Sequence, residues 1–407
     1  MKTIDSIDSL IKGKKAKVYT AAEIKDMVRN GRIPSIDDVD VVTCGTFGIM
    51  SGTMAILSFD IAEPGAFAKA DSIELNGVPG IPGPCPNENL GIVDCAVYGT
   101  SKRDGRYGGG HLFRDMVSGS MIKVDVTSGN KKFARNMTID DIATARMIVT
   151  RGAFRNYTAF LNHDERIYNT IFSVTGMKGP LKEVSVSGCG EINPMQNDIS
   201  YLREGAPVMV NGGPGVILGP GTRSSVSRPN ISASADMKGM DPDMMGGFIT
   251  SNGPECLTSF AAALPITDEM SLRRIMVLDS EIDLPVAEIS TRTAKASASY
   301  GNVWEGTSRS ITVTAHRCVS CGSCEAQERC PTEALRPAHI DTGRCVACGA
   351  CASVCPERVF SADLGRIRYD DRAVPITLRQ SDRNRAEASC EKLKKMVETG
   401  KWGLRCF

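Results

Sequence analysis

The stretch from Cys318 to Cys355 decides how the second half of this chain folds. It reads Cys318-Val-Ser-Cys321-Gly-Ser-Cys324, then Cys330-Pro, then Cys345-Val-Ala-Cys348-Gly-Ala-Cys351-Ala-Ser-Val-Cys355-Pro. The second half of the stretch is the C-x₂-C-x₂-C-x₃-C-P run of bacterial-type ferredoxins. The first half repeats the triplet but places five residues before its fourth cysteine. Because each triplet supplies three thiolates to one cubane, the spacing predicts two [4Fe–4S] clusters.

The ligand sets of the two clusters follow from the same spacing. In two-cluster ferredoxins the fourth cysteine of each run ligates the opposite cluster. One predicted cluster is therefore held by Cys318, Cys321, Cys324 and Cys355, and the other by Cys345, Cys348, Cys351 and Cys330. Structural zinc sites have no use for triplets, and disulfides need an oxidising compartment. The spacing therefore favours clusters over both alternatives.

The composition is that of an ordinary globular protein. The chain has 407 residues, a formal net charge of +1, 42% hydrophobic and 23% charged residues. This balance gives no basis for a nucleic acid or a membrane surface as partner, and no apolar run approaches the roughly 18 residues of a spanning helix. The first residues also lack the apolar core of a signal peptide. We therefore expect a cytoplasmic protein in a reducing setting, and a homo-oligomer is left open.

The chain divides into three predicted parts. Residues 1–305 form a glycine-rich α/β (mixed α+β) catalytic domain, 306–363 a small ferredoxin-like domain with both clusters, and 364–407 a basic tail that ends in a helix. Forty glycines and twenty prolines favour many tight turns, which suits an active site built from loops. Residues 138–151 are predicted to be a helix begun by Thr138, because Asp141 follows at capping-box spacing.

Three cysteines of the first part stand beside glycine or proline at predicted loops. They are Cys44, Cys85 and Cys189. A thiol in such a place is reachable, and nearby backbone N–H groups can lower its pKa. Cys95 and Cys256, within apolar runs, fit an ordinary buried role better. Loop thiols beside an electron-transfer module indicate sulfur redox chemistry, in which a cysteine carries a persulfide.

Several residues are candidates for holding an anionic substrate. Gly45 and Gly48 follow a strand predicted to end at Cys44, where backbone N–H groups could turn toward an anion. His111 enters a predicted helix behind three glycines, and Arg114 lies three residues further on. For His111 an acid/base role and a structural role both stay open. Arg223 stands at the exit of a glycine-proline loop.

Three short motifs resemble a known family. They are the Gly45-Thr-Phe-Gly48-x-Met50 turn, the Gly108-Gly-Gly-His111 loop and the Pro194-x-x-Asn197-Asp198 segment, all followed by the two-cluster module. They resemble the archaeal homocysteine-biosynthesis family, whose founding activity is L-aspartate semialdehyde sulfurtransferase. The fused ferredoxin is most similar to the methanogenesis marker 16 branch, which includes a coenzyme M synthase. The resemblance covers nearly the whole chain.

This resemblance implies an enzyme that converts an aldehyde to a thiol. In the family, a protein persulfide delivers sulfur to the carbonyl, and the adduct is reduced by two electrons. The implied partners are a small aldehyde, a sulfide or persulfide donor and a low-potential electron donor. Sulfoacetaldehyde, giving coenzyme M, is the substrate of the branch, and aspartate semialdehyde, giving homocysteine, is the alternative. Because a sulfonate suits arginines and helix N-termini, we favour the first.

The chain departs from the homocysteine-forming members at their reactive cysteines. A cysteine follows the glycine turn in those members, whereas this chain has Ser51, and residues 125–136 lack their second cysteine. The sulfur-carrying role is therefore predicted for Cys189 or Cys85, ahead of Cys44, or sulfide enters at a cluster. Two other functions stay open. One is a non-catalytic electron-transfer or assembly factor for a methanogenic enzyme, and the other is a lyase that uses a cluster as a Lewis acid.

Overall fold

The computed structural model describes residues 2–83, 89–153, 157–188, 201–226 and 229–405, and the structural statements below refer to these residues. The chain combines long strands with short helices. The helices are α1 Ile4–Lys12, α2 Ala21–Arg29, α3 Gly109–Val117, α4 Glu269–Ile275, α5 Gly301–Trp304, α6 Glu325–Glu328, α7 Ala350–Val354 and α8 Arg383–Glu398. Single 3₁₀ turns occur at Ile139–Asp141, Met237–Gly239, Pro242–Met244, Asp279–Glu281 and Ala315–Arg317.

The strands are numbered in chain order. They are β1 Val18–Thr20, β2 Val41–Ile49, β3 Thr53–Asp60, β4 Ser72–Leu75, β5 Val78–Pro82, β6 Ile92–Tyr98, β7 Ile122–Ser128, β8 Lys131–Met137, β9 Thr144–Ala153, β10 Thr158–Leu161, β11 Val184–Ser187, β12 Pro207–Val210, β13 Gly213–Pro220, β14 Asn230–Asp236, β15 Met245–Thr250, β16 Gly253–Pro265, β17 Asp283–Glu288, β18 Ala294–Ser299, β19 Thr312–Val313, β20 Leu335–Arg336, β21 His339–Ile340, β22 Phe360–Ser361, β23 Arg366–Tyr369 and β24 Arg372–Arg379.

A fourteen-stranded sheet dominates the fold. Its order is β1-β2-β16-β12-β13-β14-β9-β3-β6-β5-β4-β7-β8, with β15 paired to β16. The turn at residues 50–52 joins β2 directly to β3, although six strand pairings separate them in the sheet. The Oγ1 atoms of Thr53 on β3 and Thr258 on β16 lie 3.1 Å apart. The seven strands from β2 to β3 therefore curl into a nearly closed barrel.

A second sheet carries the end of the chain. Its order is β18-β17-β10-β11-β24-β23, so strands from residues 158–299 pair with strands from 366–379. The cysteine-rich stretch lies between them in sequence and contains α6, α7 and the β20–β21 hairpin, and the paired strands β19 and β22 flank it. The mixed α/β class is confirmed, whereas the ferredoxin character of this stretch and the domain boundaries stay predictions.

The two ends of the chain meet in the core. Leu393 and Val397 of α8 pack with Ile7 and Ile11 of α1. The carboxylate of Asp279 is fully buried, and its Oδ2 lies 2.7 Å from Arg383 of α8 and 3.3 Å from Lys25 of α2. Burial acts to raise the pKa of Asp279, but Arg383 and Lys25 outweigh it and hold this pKa well below its usual range. The basic tail is thus part of the fold.

The helix predicted over residues 138–151 is wrong. Thr138 and Asp141 do form a capping box, but only the 3₁₀ turn Ile139–Asp141 follows it. Residues 144–153 form β9, in which Ala145, Met147 and Val149 are all buried. Alternate buried residues are the signature of a strand, and this two-residue period outweighs the cap.

No helix within the described ranges is long and apolar enough to cross a membrane.

Candidate active site

Two cavities contain three of the described residues that sequence analysis singled out, namely Arg223, His111 and Arg114. The first, the barrel-mouth cavity, measures about 250 Å³ and includes Ser51, Arg151, Gly188, Arg223 and Asn230 in its wall. The second, the module cavity, measures about 240 Å³ and is lined by residues of α3, of the cysteine-rich stretch and of α8. Arg223 therefore lies at one site, whereas His111 and Arg114 lie at the other.

The barrel-mouth cavity is built where barrel strands begin and end. Ser51 lies in the turn between β2 and β3, Arg151 near the end of β9, and Asn230 at the start of β14. The turn packs closely on β9, since a Cβ at Gly52 would lie 2.2 Å from Oγ1 of Thr150. Such mouths of β-barrels are common positions for ligand sites.

Two guanidinium groups belong to the wall of this cavity. Nε of Arg151 donates to Oγ1 of Thr222 at 3.1 Å, and Arg223 follows in a left-handed conformation with φ of 59°. Burial lowers the pKa of Arg151, and the positive charge of Arg223 lowers it further. Arg223 makes no hydrogen bond or ion pair with any other described residue. An anion bound in this cavity would offset the repulsion between the two guanidinium groups.

Acceptor groups complete the polar character of this region. Asn230 is buried, and its Oδ1 has no hydrogen-bond partner among the described residues. Glu255 of β16 is 6% exposed, and its Oε2 is equally unpartnered there. Burial raises the pKa of Glu255, while Ser51 and Arg151 lower it in part. A carboxyl group in this setting keeps its proton to a higher pH than usual.

The second sheet closes the cavity from the other side. Gly188 follows β11 with φ of 36°, and a Cβ there would lie 2.5 Å from Cε1 of Tyr157. The Tyr157 hydroxyl lies 2.9 Å from Oγ1 of Thr46 on β2. Cys189 follows Gly188 in the sequence but lies outside the described residues, as do Cys85 and the Pro194–Asp198 motif.

Cys44, Gly45 and Gly48 lie inside β2, which continues to Ile49 and does not end at Cys44. Cys44 is fully buried, with Sγ 3.8 Å from the carbonyl oxygen of Ala262. A Cβ at Gly45 would lie 2.9 Å from the Phe260 carbonyl oxygen, and one at Gly48 the same distance from that of Gln380. These glycines therefore allow close packing, and their anion-binding role stays a prediction.

The module cavity contains His111 and Arg114. The N–H of Gly108 donates to Nδ1 of His111 at 3.3 Å, so the neutral ring carries its proton on Nε2. That nitrogen is buried and has no partner among the described residues. Burial lowers the pKa of His111 to about 4. Arg114 lies 3.4 Å from Asp243, so its charge is partly engaged.

The eight predicted cluster ligands lie in one packed stretch. Burial raises the pKa values of Cys345, Cys348 and Cys351, and the charges of neighbouring thiolates raise them further. Cys330 contributes to all three shifts, so these four thiols lie close together, as the predicted ligand set requires. Cys321, of the other predicted set, is exposed.

The donor set fits a cluster better than a single ion. Thiolates are the ligands that iron–sulfur clusters take. Cys330, Cys345 and Cys351 pack in one small apolar cluster, and Cys348 packs in the neighbouring one with Phe47. Across the described ranges, no group of three or more His, Cys, Asp or Glu side chains is arranged to hold one metal ion. A cubane separates its ligands more widely than a single ion does. These cysteines could therefore hold a cluster.

Backbone contacts join the cysteine-rich stretch to both cavities. Cys348 packs in an apolar cluster with Phe47 of β2, which lines the module cavity. Ile49, two residues along β2, packs against the same cluster and lines the barrel-mouth cavity. Arg385 of α8 donates through Nη1 to the carbonyl oxygen of Cys345 at 2.6 Å. The predicted second cluster is thus held against the strand that borders both cavities.

Sequence reasoning did not identify Arg151, Glu255 or Asn230. Arg151 falls in the segment that the capping-box pattern assigns to a helix, and Asn230 stands in no recognisable motif. Glu255 precedes a cysteine in an apolar run, a position that usually indicates core packing. No local pattern distinguishes these residues, because β9 and β14 pair across a long sequence separation, and β16 approaches them only when the sheet curls into the barrel.

The chain is similar to known proteins along nearly its whole length. The family described as "Homocysteine biosynthesis enzyme, sulfur-incorporation" matches residues 16–404. An uncharacterized protein of Methanothermobacter thermautotrophicus is 46% identical over 391 residues, which cover 95% of this chain and 90% of that one. An uncharacterized protein of Methanocaldococcus jannaschii is 39% identical over 96% of this chain and its own full length.

A more distant relative has a named activity. The L-aspartate semialdehyde sulfurtransferase of Methanocaldococcus jannaschii is 28% identical over 307 residues, covering 70% of this chain and 58% of that protein. No solved structure matches the chain.

Proposed function

Because the chain belongs to the homocysteine biosynthesis, sulfur-incorporation family, we propose that it is a reductive sulfurtransferase that converts a small anionic aldehyde to a thiol. The observation that carries this proposal is the pair Arg151 and Arg223 in the wall of the barrel-mouth cavity. A guanidinium group matches the oxygens of a sulfonate or carboxylate, and two such groups hold an anion in a fixed orientation. Fixing the anionic end presents the aldehyde carbon to the rest of the cavity.

The preferred substrate is sulfoacetaldehyde, which would give coenzyme M. Its sulfonate spreads one charge over three oxygens, which can accept from two guanidinium groups at once. The described wall of the cavity contains Arg151 and Arg223 but no carboxylate. An α-ammonium group, which aspartate semialdehyde carries and sulfoacetaldehyde does not, would therefore lie near two positive charges. Homocysteine formation from aspartate semialdehyde, the activity named for the distant relative, is the alternative.

The overall reaction balances with sulfide as the sulfur source. One aldehyde, one H₂S, two electrons and two protons give one thiol and one water. If the sulfur arrives as a cysteine persulfide, two further electrons and two protons break its S–S bond and restore the thiol. We propose Cys189 as the cysteine that would carry this sulfur, because it directly follows Gly188 of the cavity wall. Cys85 and the buried Cys44 rank behind it.

The electrons would come from the cysteine-rich stretch. Cys330, Cys345, Cys348 and Cys351 would hold one [4Fe–4S] cluster, and Cys318, Cys321, Cys324 and Cys355 the other. When bound, such clusters supply electrons singly at a potential that the protein tunes. Phe47 and Ile49 pack in the same apolar cluster as Cys348 and also line the two cavities. His111 stays neutral at physiological pH and offers its Nε2 proton within the module cavity.

Thiol formation by anaerobically reconstituted protein tests the proposal. The protein is incubated with sulfide, a low-potential reductant and either sulfoacetaldehyde or aspartate semialdehyde, and the thiol is quantified. We expect 2-mercaptoethanesulfonate from the first aldehyde. Homocysteine from the second alone would assign the alternative substrate. If neither aldehyde yields thiol and a partner enzyme co-purifies, the chain is an electron-transfer or assembly factor and the proposal is wrong.

A further inference from the structure

Glu255 is a buried carboxyl group that no part of the proposed reaction yet uses. It lies on β16 opposite the apolar Phe248 of β15 and is 6% exposed. Its Oε2 has no hydrogen-bond partner among the described residues. Burying a polar atom without a partner costs free energy, so an unpartnered carboxyl oxygen near a cavity calls for a functional explanation.

The surroundings of Glu255 favour its protonated form. Burial is the largest influence and raises its pKa, whereas Ser51 in the turn and Arg151 on β9 lower it in part. The positive charge of Arg223 acts on Arg151 in turn, and Cys256 on the same strand is also buried. Among the described residues, Arg151 is thus the cation that acts on Glu255, but the two side chains form no salt bridge. A carboxyl group of this kind keeps its proton to a higher pH than an exposed one and can act as a proton donor.

Ser51 connects this carboxyl group to the cavity. Ser51 belongs to the cavity wall, while Glu255 does not. Ile49 of β2 pairs with Leu257 of β16, and the N–H of Met50 donates to the carbonyl oxygen of Cys256 at 2.9 Å, so the next residues, Ser51 and Glu255, lie side by side. A serine hydroxyl can accept a proton from one side while it donates its own to the other. Gly52 fixes the turn against Thr150, so the hydroxyl is held by a rigid element.

We propose that Ser51 and Glu255 form a proton relay that removes the carbonyl oxygen of the substrate as water. Ser51 is the catalytic residue of this relay, because it would touch the reacting oxygen. Glu255 is a positioning residue that acts through Ser51 and replaces its proton. Arg151 and Arg223 meanwhile hold the anionic end of the substrate, so the relay rests on the proposed function.

The relay balances in atoms and electrons. Addition of H₂S to the aldehyde forms a C–S bond and gives a carbon that carries one hydroxyl and one S–H group. The hydroxyl takes a proton from Ser51, and the C–O bond breaks to release water. Ser51 regains a proton from Glu255, and the S–H proton returns to Glu255 as the C=S bond forms. No oxidant or reductant is consumed, and the later two-electron reduction belongs to the proposed function.

The pH dependence of thiol formation tests the relay. Because Glu255 must start protonated, the wild-type kcat should fall on the alkaline side of its pKa. Glu255→Gln should lower kcat about 100-fold, within the usual range for acid–base catalysis, and should abolish this alkaline limb. KM for the aldehyde should change little, since the arginines remain. Ser51→Ala should lower kcat equally, and Ser51→Thr, which keeps a hydroxyl group, should recover much of the rate.

Two controls keep the outcome decisive. Glu74→Gln, an exposed change on β4, should behave as wild type. The infrared band of a protonated carboxyl should be present at neutral pH in wild type and absent in Glu255→Gln, with or without turnover. The relay is wrong if that band is missing from wild type, or if Glu255→Gln keeps the alkaline limb. If Glu255→Gln does not fold, Ser51→Ala in the cavity-lining turn carries the kinetic test. Absence of thiol from wild type would instead overturn the proposed function.

Discussion

The backbone N–H of Arg379 donates a hydrogen bond to the carbonyl oxygen of Cys348 at 2.9 Å. Arg379 ends β24 of the second sheet, and Cys348 is the middle cysteine of the second triplet. The next residue, Gln380, belongs to the wall of the barrel-mouth cavity. One backbone segment therefore touches both the predicted cluster ligands and the candidate active site. Removing the tail would remove the support of both.

The guanidinium group of Arg385 should be a main support of the second triplet. It donates to the carbonyl oxygens of Cys345 at 2.6 Å, Gly343 at 2.7 Å and Asp243 at 2.8 Å. Arg385→Met leaves these acceptors without their charged donor, so we expect the free energy of unfolding to fall by about 2 to 4 kcal/mol. Anaerobic urea titration measures it, and iron should also be lost faster to a chelator.

Arg372→Met is the matched control for Arg385→Met. Arg372 is exposed at the start of β24, and its side chain makes no hydrogen bond with another described residue. This variant should keep wild-type stability and wild-type iron retention. Equal behaviour of the two variants would show that the three carbonyl contacts do not support the triplet.

The predicted pairing of cysteines across the two runs can be tested by iron content. Cys330 should share a cluster with Cys345, and Cys355 with Cys318. The double variant Cys330→Ser/Cys345→Ser should therefore lose about half of the iron, like either single variant, because both substitutions remove ligands of the same cluster and leave the other cluster intact. Cys330→Ser/Cys318→Ser should lose nearly all of it. Iron analysis and electron paramagnetic resonance of the reduced protein measure both.

Cys95→Ala is the control for the iron measurements. Cys95 is a buried residue of β6 and belongs to neither predicted ligand set, so its variant should keep all the iron. If Cys330→Ser/Cys318→Ser retains half of the iron, each run supplies its own fourth ligand and the crossed assignment is wrong.

The sequence is most informative where the signal lies in local spacing. The cysteines of each triplet lie within a few residues of one another, so spacing alone predicts the grouping of Cys330 with Cys345, Cys348 and Cys351, which stays a prediction. The terminal helix was predictable for a similar reason, because its signals lie within its own residues. The role of that helix in covering β2 was not, since Thr43 and Cys390 meet only in the folded chain.

The glycines of β2 could be interpreted in two ways from the sequence. Gly45 and Gly48 look like a turn after a strand, because glycine permits both sharp turns and close approaches. The structure requires them for close approach to the carbonyl oxygens of Phe260 and Gln380, which are more than two hundred residues away. Arg151, Glu255 and Ser51 are likewise brought together by the pairing of β2 with β16 and by barrel closure. Long-range packing of this kind leaves no local signal.

The anion-binding role of the two arginines should appear as substrate discrimination. Arg151→Gln and Arg223→Gln should each raise KM for sulfoacetaldehyde about 10- to 100-fold, because each removes a charge-assisted hydrogen bond worth about 1.5 to 3 kcal/mol. Acetaldehyde, which lacks the sulfonate, should bind weakly to wild type and equally weakly to both variants. Steady-state thiol formation with the two aldehydes measures the difference.

Lysine variants separate charge from hydrogen-bond geometry at these positions. Arg151→Lys and Arg223→Lys keep the positive charge but lose the planar donor pair, so they should lie between wild type and the glutamine variants. A glutamine variant that raises KM for acetaldehyde as much as for sulfoacetaldehyde would point to a general disturbance of the cavity. The prediction that Arg151 and Arg223 bind the anionic end of the substrate would then be wrong.

His111 should make the protein less stable as the pH falls. Its pKa is lowered by burial to about 4, whereas the unfolded chain has the ordinary value of about 6.5. Between these values the unfolded state binds more protons than the folded state, so the free energy of unfolding decreases as the pH is lowered. The loss begins near pH 6.5, is complete below pH 4, and amounts to about 3 kcal/mol in total.

Comparing His111→Gln with wild type isolates this contribution from that of every other titrating group. Urea unfolding at several pH values between 4 and 7 should show that wild type loses about 3 kcal/mol more than the variant does over this window. The exposed His339→Gln should follow wild type throughout. If wild type and His111→Gln lose stability in parallel, the buried ring already titrates at its ordinary pKa. Its unpartnered Nε2 would then be reached by water, and the neutral donor assigned to the module cavity would not exist.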